Sequence, residues 1–324
     1  MQHCRLPSVV VAATFALAAT VSSVAAETFV FGVQPATQPI YIARANGAIA
    51  AIEEKHGVTI DFVRFAYGAP QNQAMAAGEV HINSAGMGPA IVAASRLPAR
   101  LLAISILEQT AILVPQGSEI ESVADLRGRR IAFPGRGSQQ YPLLLKALAD
   151  AGLSESDIEL FRTDGAQIPT LLMNEAVEAG ITWDPHVSNA LAAGHSRVLI
   201  KAEEILPIKA GHYIGNGVYA LDSFIDERPE LVADLIGAIV EAIEFIVANP
   251  EEAISLWSSE IGFPEDVIRF SLEQGISVYD PDVVPEASTI EAFTAFLREA
   301  EILQPDDVPQ VDPSFAEAAL GRTN

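Results

Sequence analysis

Three short turns concentrate the residue types that hold a small ion: Gly86-Met87-Gly88-Pro89, Gly135-Arg136-Gly137-Ser138-Gln139-Gln140-Tyr141 and Trp183-Asp184-Pro185-His186. Each falls where a strand-like run gives way to a helical one, and there unpaired N–H groups and the positive end of a helix dipole receive an anion. In the second turn, a glycine-rich approach, the Ser138 hydroxyl, the Gln139 and Gln140 amides and the Tyr141 phenol place several donors within seven residues. That pattern favours oxyanion capture, although an N-cap role would account for Ser138 by itself. Arg136 offers either a bidentate hold on an oxyanion or a solvated side chain. Asp184, just before Pro185, reads first as a helix cap with proline at the first helical position. Its second reading is an acceptor for a ligand ammonium beside the Trp183 indole. Gly86 and Gly88 serve a tight turn or the close approach of a ligand. Gln34 and Gln38, beyond the first strand, and Tyr41, one turn into the helix that follows, fall on the same side.

Other chemistries find no residues to run on. The first turn lacks the third glycine of a dinucleotide fingerprint, and the second lacks the Gly-Lys-Ser/Thr that ends a phosphate loop. There is no His-Glu-x-x-His, no paired-histidine spacing and no Gly-x-Ser-x-Gly elbow, so neither a zinc hydrolase nor a serine hydrolase is indicated. His56 and His81 read as packed or exposed side chains, while His186 and His212 lie near the proposed turns. The single cysteine, Cys4, rules out an internal disulfide and a thiolate metal cluster. No metal and no cofactor are expected, and the acids at Asp280, Asp282 and Glu286 lack the glycine-centred loop of a calcium site.

The elements that must position these turns alternate. A strand at 29–33, a helix at 40–56 closed by Gly57 and a strand at 58–65 open the series. A short helix at 71–77, a strand at 80–84, a helix at 89–95 and a strand at 100–106 continue it. A second cycle begins with a strand at 112–114, then a strand at 131–133, a helix at 138–150, a strand at 158–161, a helix at 168–179 and a strand at 180–183. Two such cycles give two α/β lobes with largely parallel sheets. After residues 217–221 the pattern turns helical, and 229–248 carries Leu231, Leu235, Ile239, Ala242 and Ile246 on one face.

The 324-residue chain is 50% hydrophobic and 19% charged, which excludes disorder. Its 42 acidic against 19 basic side chains, net −23, exclude a nucleic-acid partner. The acidity is concentrated in residues 216–324, with 23 acidic and 4 basic side chains, and reads as a solvated helical surface. His3 and Arg5 precede an apolar run at 9–19 that ends in Val24-Ala25-Ala26, so residues 1–26 read as a signal peptide cleaved after Ala26. The run is shorter than the roughly 20 apolar residues of a membrane span.

The order of elements resembles the nitrate/sulfonate/taurine-type periplasmic solute-binding proteins that feed ABC transporters. The passage Gln71-Asn72-Gln73-Ala74-Met75-Ala76-Ala77-Gly78-Glu79-Val80-His81-Ile82 is similar to that family's helix, glycine, acid and strand. Residues 122–134, Ser-Val-Ala-Asp-Leu-Arg-Gly-Arg-Arg-Ile-Ala-Phe-Pro, resemble its most recognisable stretch, with the Gly-Ser and Trp-Asp-Pro turns following in order. The resemblance implies an α/β, two-lobe periplasmic binding protein fold (type II), with mixed, mostly parallel sheets and a helical C-terminal extension. Lobe 1 would comprise 27–112 with 219–324 and lobe 2 residues 113–218, with hinge strands at 112–115 and 218–221. It implies a periplasmic monomer that passes a small-molecule ligand to a membrane-embedded ABC permease and is not an enzyme. The ligand would be a small organic anion or zwitterion, a sulfonate such as taurine, with its oxyanion at Ser138 and Gln139 and its ammonium near Asp184. Where taurine and alkanesulfonate binders often carry serine or threonine in the first glycine turn, this chain has Met87, an adaptable apolar contact. That departure keeps an aromatic carboxylate or a pyrimidine vitamin precursor open as the ligand, held against Met87, Tyr141 and Trp183. Desulfinases share the architecture but need a cysteine nucleophile, which the mature chain would lack.

Overall fold

The computed structural model describes residues 26–322, so the expected signal peptide lies outside the described residues except for Ala26. The strands in chain order are β1 (Glu27–Val33), β2 (Val58–Arg64), β3 (Ile82–Gly86), β4 (Ala99–Glu108), β5 (Thr110–Pro115) and β6 (Arg130–Phe133). They continue as β7 (Glu159–Arg162), β8 (Ala179–Trp183), β9 (Ser196–Lys201), β10 (Ile214–Leu221) and β11 (Ser277–Val278). One sheet has the order β11-β4-β10-β3-β1-β2 and the other β7-β6-β8-β5-β9.

The two sheets share a plan. In each, strands linked by helices run parallel, β2-β1-β3 in the first and β7-β6-β8 in the second. Each then accepts, antiparallel, a strand that has just crossed from the other sheet: β5 follows β4, and β10 follows β9. The chain therefore changes sheet at Gln109 and again between Lys201 and Ile214. Residues 112–115 and 218–221, expected to join the lobes, lie inside β5 and β10. The C-terminal chain runs alongside the first crossing: the Gln109 N–H donates to the Ile276 carbonyl at 2.7 Å, and β11 pairs with the end of β4.

Local chemistry explains where the expected elements held. The helix Pro229–Ala248 has proline at its first turn, where a missing N–H costs nothing, and its apolar stripe is buried against the first sheet. The helix expected over 40–56 is instead two, Pro39–Ala45 and Ala48–His56. Gly47 at φ +89° leaves the helical region, and the Asn46 side-chain oxygen accepts the Ala48 N–H, which starts the second helix. The helix expected over 168–179 stops at Met173, and strand β9 had no counterpart in the sequence reading. Among the described residues no helix is long and apolar enough to cross a membrane.

A buried amide relay stiffens the floor of the first sheet. Gln34 Nε2 donates to Gln71 Oε1 at 2.7 Å, and Gln71 Nε2 donates to Asn83 Oδ1 at 3.1 Å and to the Ser84 carbonyl at 3.2 Å. Gly32 makes room for it, because a Cβ there would sit 1.9 Å from Asn83 Oδ1. Gly32→Ala is expected to displace Asn83 and cost about 2 kcal/mol by overpacking, read as a lower urea midpoint at unchanged slope.

Candidate functional site

The carboxyl ends of β1, β3 and β8 deliver Gln34, Gly86 and Trp183 to one narrow cleft between the sheets, and the loop after β6 delivers Gln139 and Gln140. The sheet crossings add Gln109 and, from β10, Asn216; Tyr67, Gly68 and Pro89 complete the wall. This is where open α/β sheets bind ligands, beyond strand ends and at helix starts. Three helices begin here, Gly68–Ala76 and Met87–Arg96 from the first half and Gln140–Asp150 from the second, with no acidic residue in any first turn to oppose an incoming anion.

Gln139 spans the cleft. Its Oε1 accepts the Gly88 N–H at 3.0 Å, and its Nε2 donates to the Gly215 carbonyl at 2.6 Å, so one carboxamide from the second half bonds two backbone groups of the first. The Gly88 N–H belongs to the first turn of Met87–Arg96, and an amide oxygen stands where a ligand oxyanion would be received. The remaining space is about 10 Å³, barely enough to admit one water. Around it, Gln109 Nε2 donates to Asn216 Oδ1 at 2.8 Å and Gln140 Nε2 donates to Thr110 Oγ1 at 3.1 Å. Three buried atoms in the same wall have no partner: Gln109 Oε1, Asn216 Nδ2 and Trp183 Nε1. Unpaired buried polar atoms cost about 1–3 kcal/mol each, and a polar ligand that satisfies them recovers that penalty.

Among the described residues, those lining the cleft carry no formal charge; they are carboxamides, glycines, a proline, an indole and a phenol. At Tyr67, Arg162 from β7 donates to the hydroxyl across the two halves at 3.0 Å.

The structure thus brings Gln34, Gly86, Gln139 and Trp183 together and sets Gly88 at the edge through its N–H. Tyr41 is buried in the first half, where its hydroxyl donates to the Gln34 carbonyl; burial raises its pKa. Gln38 is also internal: its carbonyl accepts the Trp257 indole N–H and its Nε2 donates to the Ser84 carbonyl. Met87 turns away into the core beside Gly217, where a Cβ would meet the Met87 sulfur at 3.2 Å. Ser138 does not cap its helix, which begins at Gln140; its hydroxyl donates back to the Gly135 carbonyl at 2.8 Å and closes the loop. Tyr141 faces the far side of its helix, bonded to Glu155 together with Arg136; burial and that carboxylate push its pKa to about 12.

Asp184 is fully buried and already engaged. Its carboxylate accepts the Ser188 hydroxyl, the Ser188 N–H at 3.1 Å and the Ser277 hydroxyl at 3.3 Å, fastening the helix His186–Ala192 to the C-terminal chain. Burial raises its pKa and the serine donors oppose the shift. It is not the N-cap expected from sequence: the helix begins at His186 with Pro185 as its N-cap, and Asp184, one residue earlier, receives the Ser188 N–H; it does not line the cleft. His186 supports the Trp183 ring edge-on at 5.2 Å, with Phe263 at 5.5 Å on its other side; burial lowers its pKa to about 4.

The sequence reading missed Tyr67, Gly68, Gln109 and Asn216 as lining residues, while Gln140 was among the donors it named. One signal was visible: the polar trio Glu108-Gln109-Thr110 interrupts an apolar run from 101 to 114, which marks a place where a strand leaves one sheet for another.

Comparison with known proteins fits this geometry. An Escherichia coli (strain K12) protein named for binding aliphatic sulfonates is 28% identical over 253 residues, 77% of each chain. The taurine-binding periplasmic protein of the same organism is 26% identical over 288 residues, 86% of this chain and 82% of the relative. The alkanesulfonate-binding protein SsuA from Xanthomonas axonopodis pv. citri, solved bound to MOPS, superposes with a TM-score of 0.74 at 23% identity. That match covers 88% of this chain and 98% of the other and shows that the two share a fold, the two-sheet architecture expected from sequence. With the family model matching residues 31–253, more than half of its length, the chain belongs to the NMT1/THI5-like family.

Proposed function

We propose that the protein is the solute-binding receptor of an ABC importer, exported behind a signal peptide cleaved after Ala26, which captures a small organic anion by closure of two lobes. The lobes, expected from sequence as 27–112 with 219–324 and 113–218, would divide at the two sheet crossings, at Gln109 and between Lys201 and Ile214, and turn about them. It acts as a monomer, in the periplasm, and hands its ligand to a membrane-embedded permease. The observation that carries this reading is the bridged cleft: Gln139 supplies an oxygen to the Gly88 N–H while Trp183 Nε1 and Asn216 Nδ2 stand unpaired nearby. A sulfonate has three acceptor oxygens, which would take over the Gly88 N–H and satisfy those two donors. Room for it comes from lobe opening and withdrawal of the Gln139 side chain. The names of the sulfonate-binding relatives support the same class of ligand. A receptor rather than an enzyme suits a lining of groups that hydrogen-bond without exchanging protons near neutral pH.

Taurine is the finer version of this reading. Its ammonium would meet carboxamide oxygens, Gln109 Oε1 foremost, because Asp184 is committed to Ser188 and Ser277. Asp184→Asn is therefore expected to lower the thermal midpoint while changing taurine and ethanesulfonate affinities alike, to within about threefold, in calorimetric titrations. A selective loss of taurine would return Asp184 to the ligand.

A second reading, an aromatic carboxylate or pyrimidine precursor, draws on the Tyr67 and Trp183 rings and on carboxamides that donate and accept in one plane. A thermal-shift series with taurine, alkanesulfonates, nitrate, aromatic carboxylates and pyrimidines separates the two. Ligand at a hundred times its Kd stabilises by about 2.7 kcal/mol, several degrees in midpoint. Shifts with sulfonates support the first reading; shifts with planar rings alone replace it by the second.

A further inference from the structure

Away from the cleft, the two sheet crossings meet at a cluster that the ligand reading does not use. Glu108 closes β4 at φ +64° and Gln109 follows at φ +79°; on the return, Ala210 at φ +52° and Gly211 at φ +86° lead into His212 and Tyr213 before β10. Glu108 Oε1 accepts the Tyr213 N–H at 2.8 Å and lies 3.2 Å from His212 Nδ1. Glu203 Oε2, from the short helix after β9, lies 3.2 Å from the same nitrogen.

A single imidazole nitrogen carries at most one hydrogen and donates cleanly to one acceptor. Here it faces two carboxylates at equal distance, and all three ligand atoms lie within 4.8 Å of one another. A tetrahedral zinc ion with arms of about 2.0–2.1 Å holds its ligands about 3.3 Å apart. The two nitrogen-to-oxygen separations match that edge length. The exposure also fits, since Glu108 is buried while Glu203 and His212 are half-exposed, so an ion enters from solvent and keeps a position for water. Glu108 is oriented by a backbone donor, as metal carboxylates are. Of the neighbouring cations, Lys201 pairs with the other oxygen of Glu203 at 3.7 Å, which leaves Glu203 Oε2 to the cluster, and Lys209 faces Asp282.

We propose that Glu108, Glu203 and His212 form a binding site for a zinc-class divalent cation that ties the outgoing and returning crossings together. The ion would join residue 108 to residues 203 and 212, one on each side of the inserted half, and restrain the segment about which the halves turn. Its three ligands are not cleft-lining side chains, although Glu108 immediately precedes Gln109, and metal binding there stands or falls independently of the transport reading.

The test is calorimetric titration of ZnCl2 into untagged, chelator-treated protein in a non-coordinating buffer, for wild type, Glu203→Gln, His212→Gln and His56→Gln. Both target side chains are partly exposed, so the variants are expected to fold, which their midpoints in chelator check. One equivalent of Zn2+ should bind wild type and raise its thermal midpoint. Glu203→Gln and His212→Gln should each weaken binding at least tenfold and lose the midpoint rise, while His56→Gln binds as wild type. Absence of binding to wild type overturns the site, and so does undiminished binding in both target variants.

Discussion

Gly86→Val is expected to weaken sulfonate binding at least about a hundredfold, or ~2.7 kcal/mol, while the ligand-free protein stays folded. Gly86 ends β3 with φ −49° and ψ 142°, a negative φ that does not require glycine. The obstacle lies across the cleft. A Cβ at residue 86 would come within 2.9 Å of Gln139 Cβ and Oε1, and no other residue stands that close to it. The flexible Gln139 amide can move aside, but its Cβ is fixed to the start of Gln140–Asp150 and retreats only if the second half retreats with it. Valine thus acts as a wedge that holds the lobes apart, and closure is the step that brings donors from both halves onto one ligand. Calorimetric titration measures the loss, and X-ray scattering should show a radius of gyration that no longer contracts with ligand. Wild-type affinity in Gly86→Val would show that the two halves do not meet at this point when ligand is bound.

The second large effect is on stability against acid. His186 is buried, its Nε2 has no partner, and burial holds its pKa near 4 against about 6.5 for a free histidine. Between those values the unfolded chain binds a proton that the folded chain refuses, so stability rises with pH across this window. The contribution is complete above pH 6.5, falls progressively below it, and by pH 4 about 3 kcal/mol has been lost. His186→Gln removes the titration. Urea unfolding at pH 7 and pH 5 should therefore show wild type losing about 2 kcal/mol more than the variant over that interval. Equal losses would mean that His186 reaches solvent in the native state. Because folded His186 stays neutral over that interval, its brace on Trp183 persists, and ligand affinity should be unchanged between pH 7 and pH 5.

Much of the architecture was legible because local signals agreed with tertiary demands. Pro229 and the stripe from Leu231 to Ile246 fixed one helix to the residue, and strand-end glycines marked two walls of the cleft. Gln34, Gly86, Gln139 and Trp183 were readable since they sit at strand ends followed by helices. Gln109 and Asn216 were not, because their place depends on strands that cross between sheets and insert antiparallel, a pairing that periodicity does not encode. Met87 and Tyr141 show the opposite failure. Their neighbours line the cleft, but helical phase turns Met87 into the core and Tyr141 towards Glu155. Asp184 was read as the N-cap, but Pro185 holds that position, and only the bonds of Asp184 to Ser277 and Ser188 reveal that no free carboxylate remains for a ligand.

The claim that a small anion binds between the halves is tested most directly at Trp183. The chain has two tryptophans, and Trp257 is fully buried in the first half with its indole N–H on the Gln38 carbonyl. In a Trp257→Phe background Trp183 is the sole indole, with an N–H that lacks a partner until ligand arrives. Titration with ethanesulfonate should change Trp183 emission saturably, with the stoichiometry and Kd found by calorimetry. Binding heat without any change in Trp183 emission, or no binding by any sulfonate tested, would contradict it.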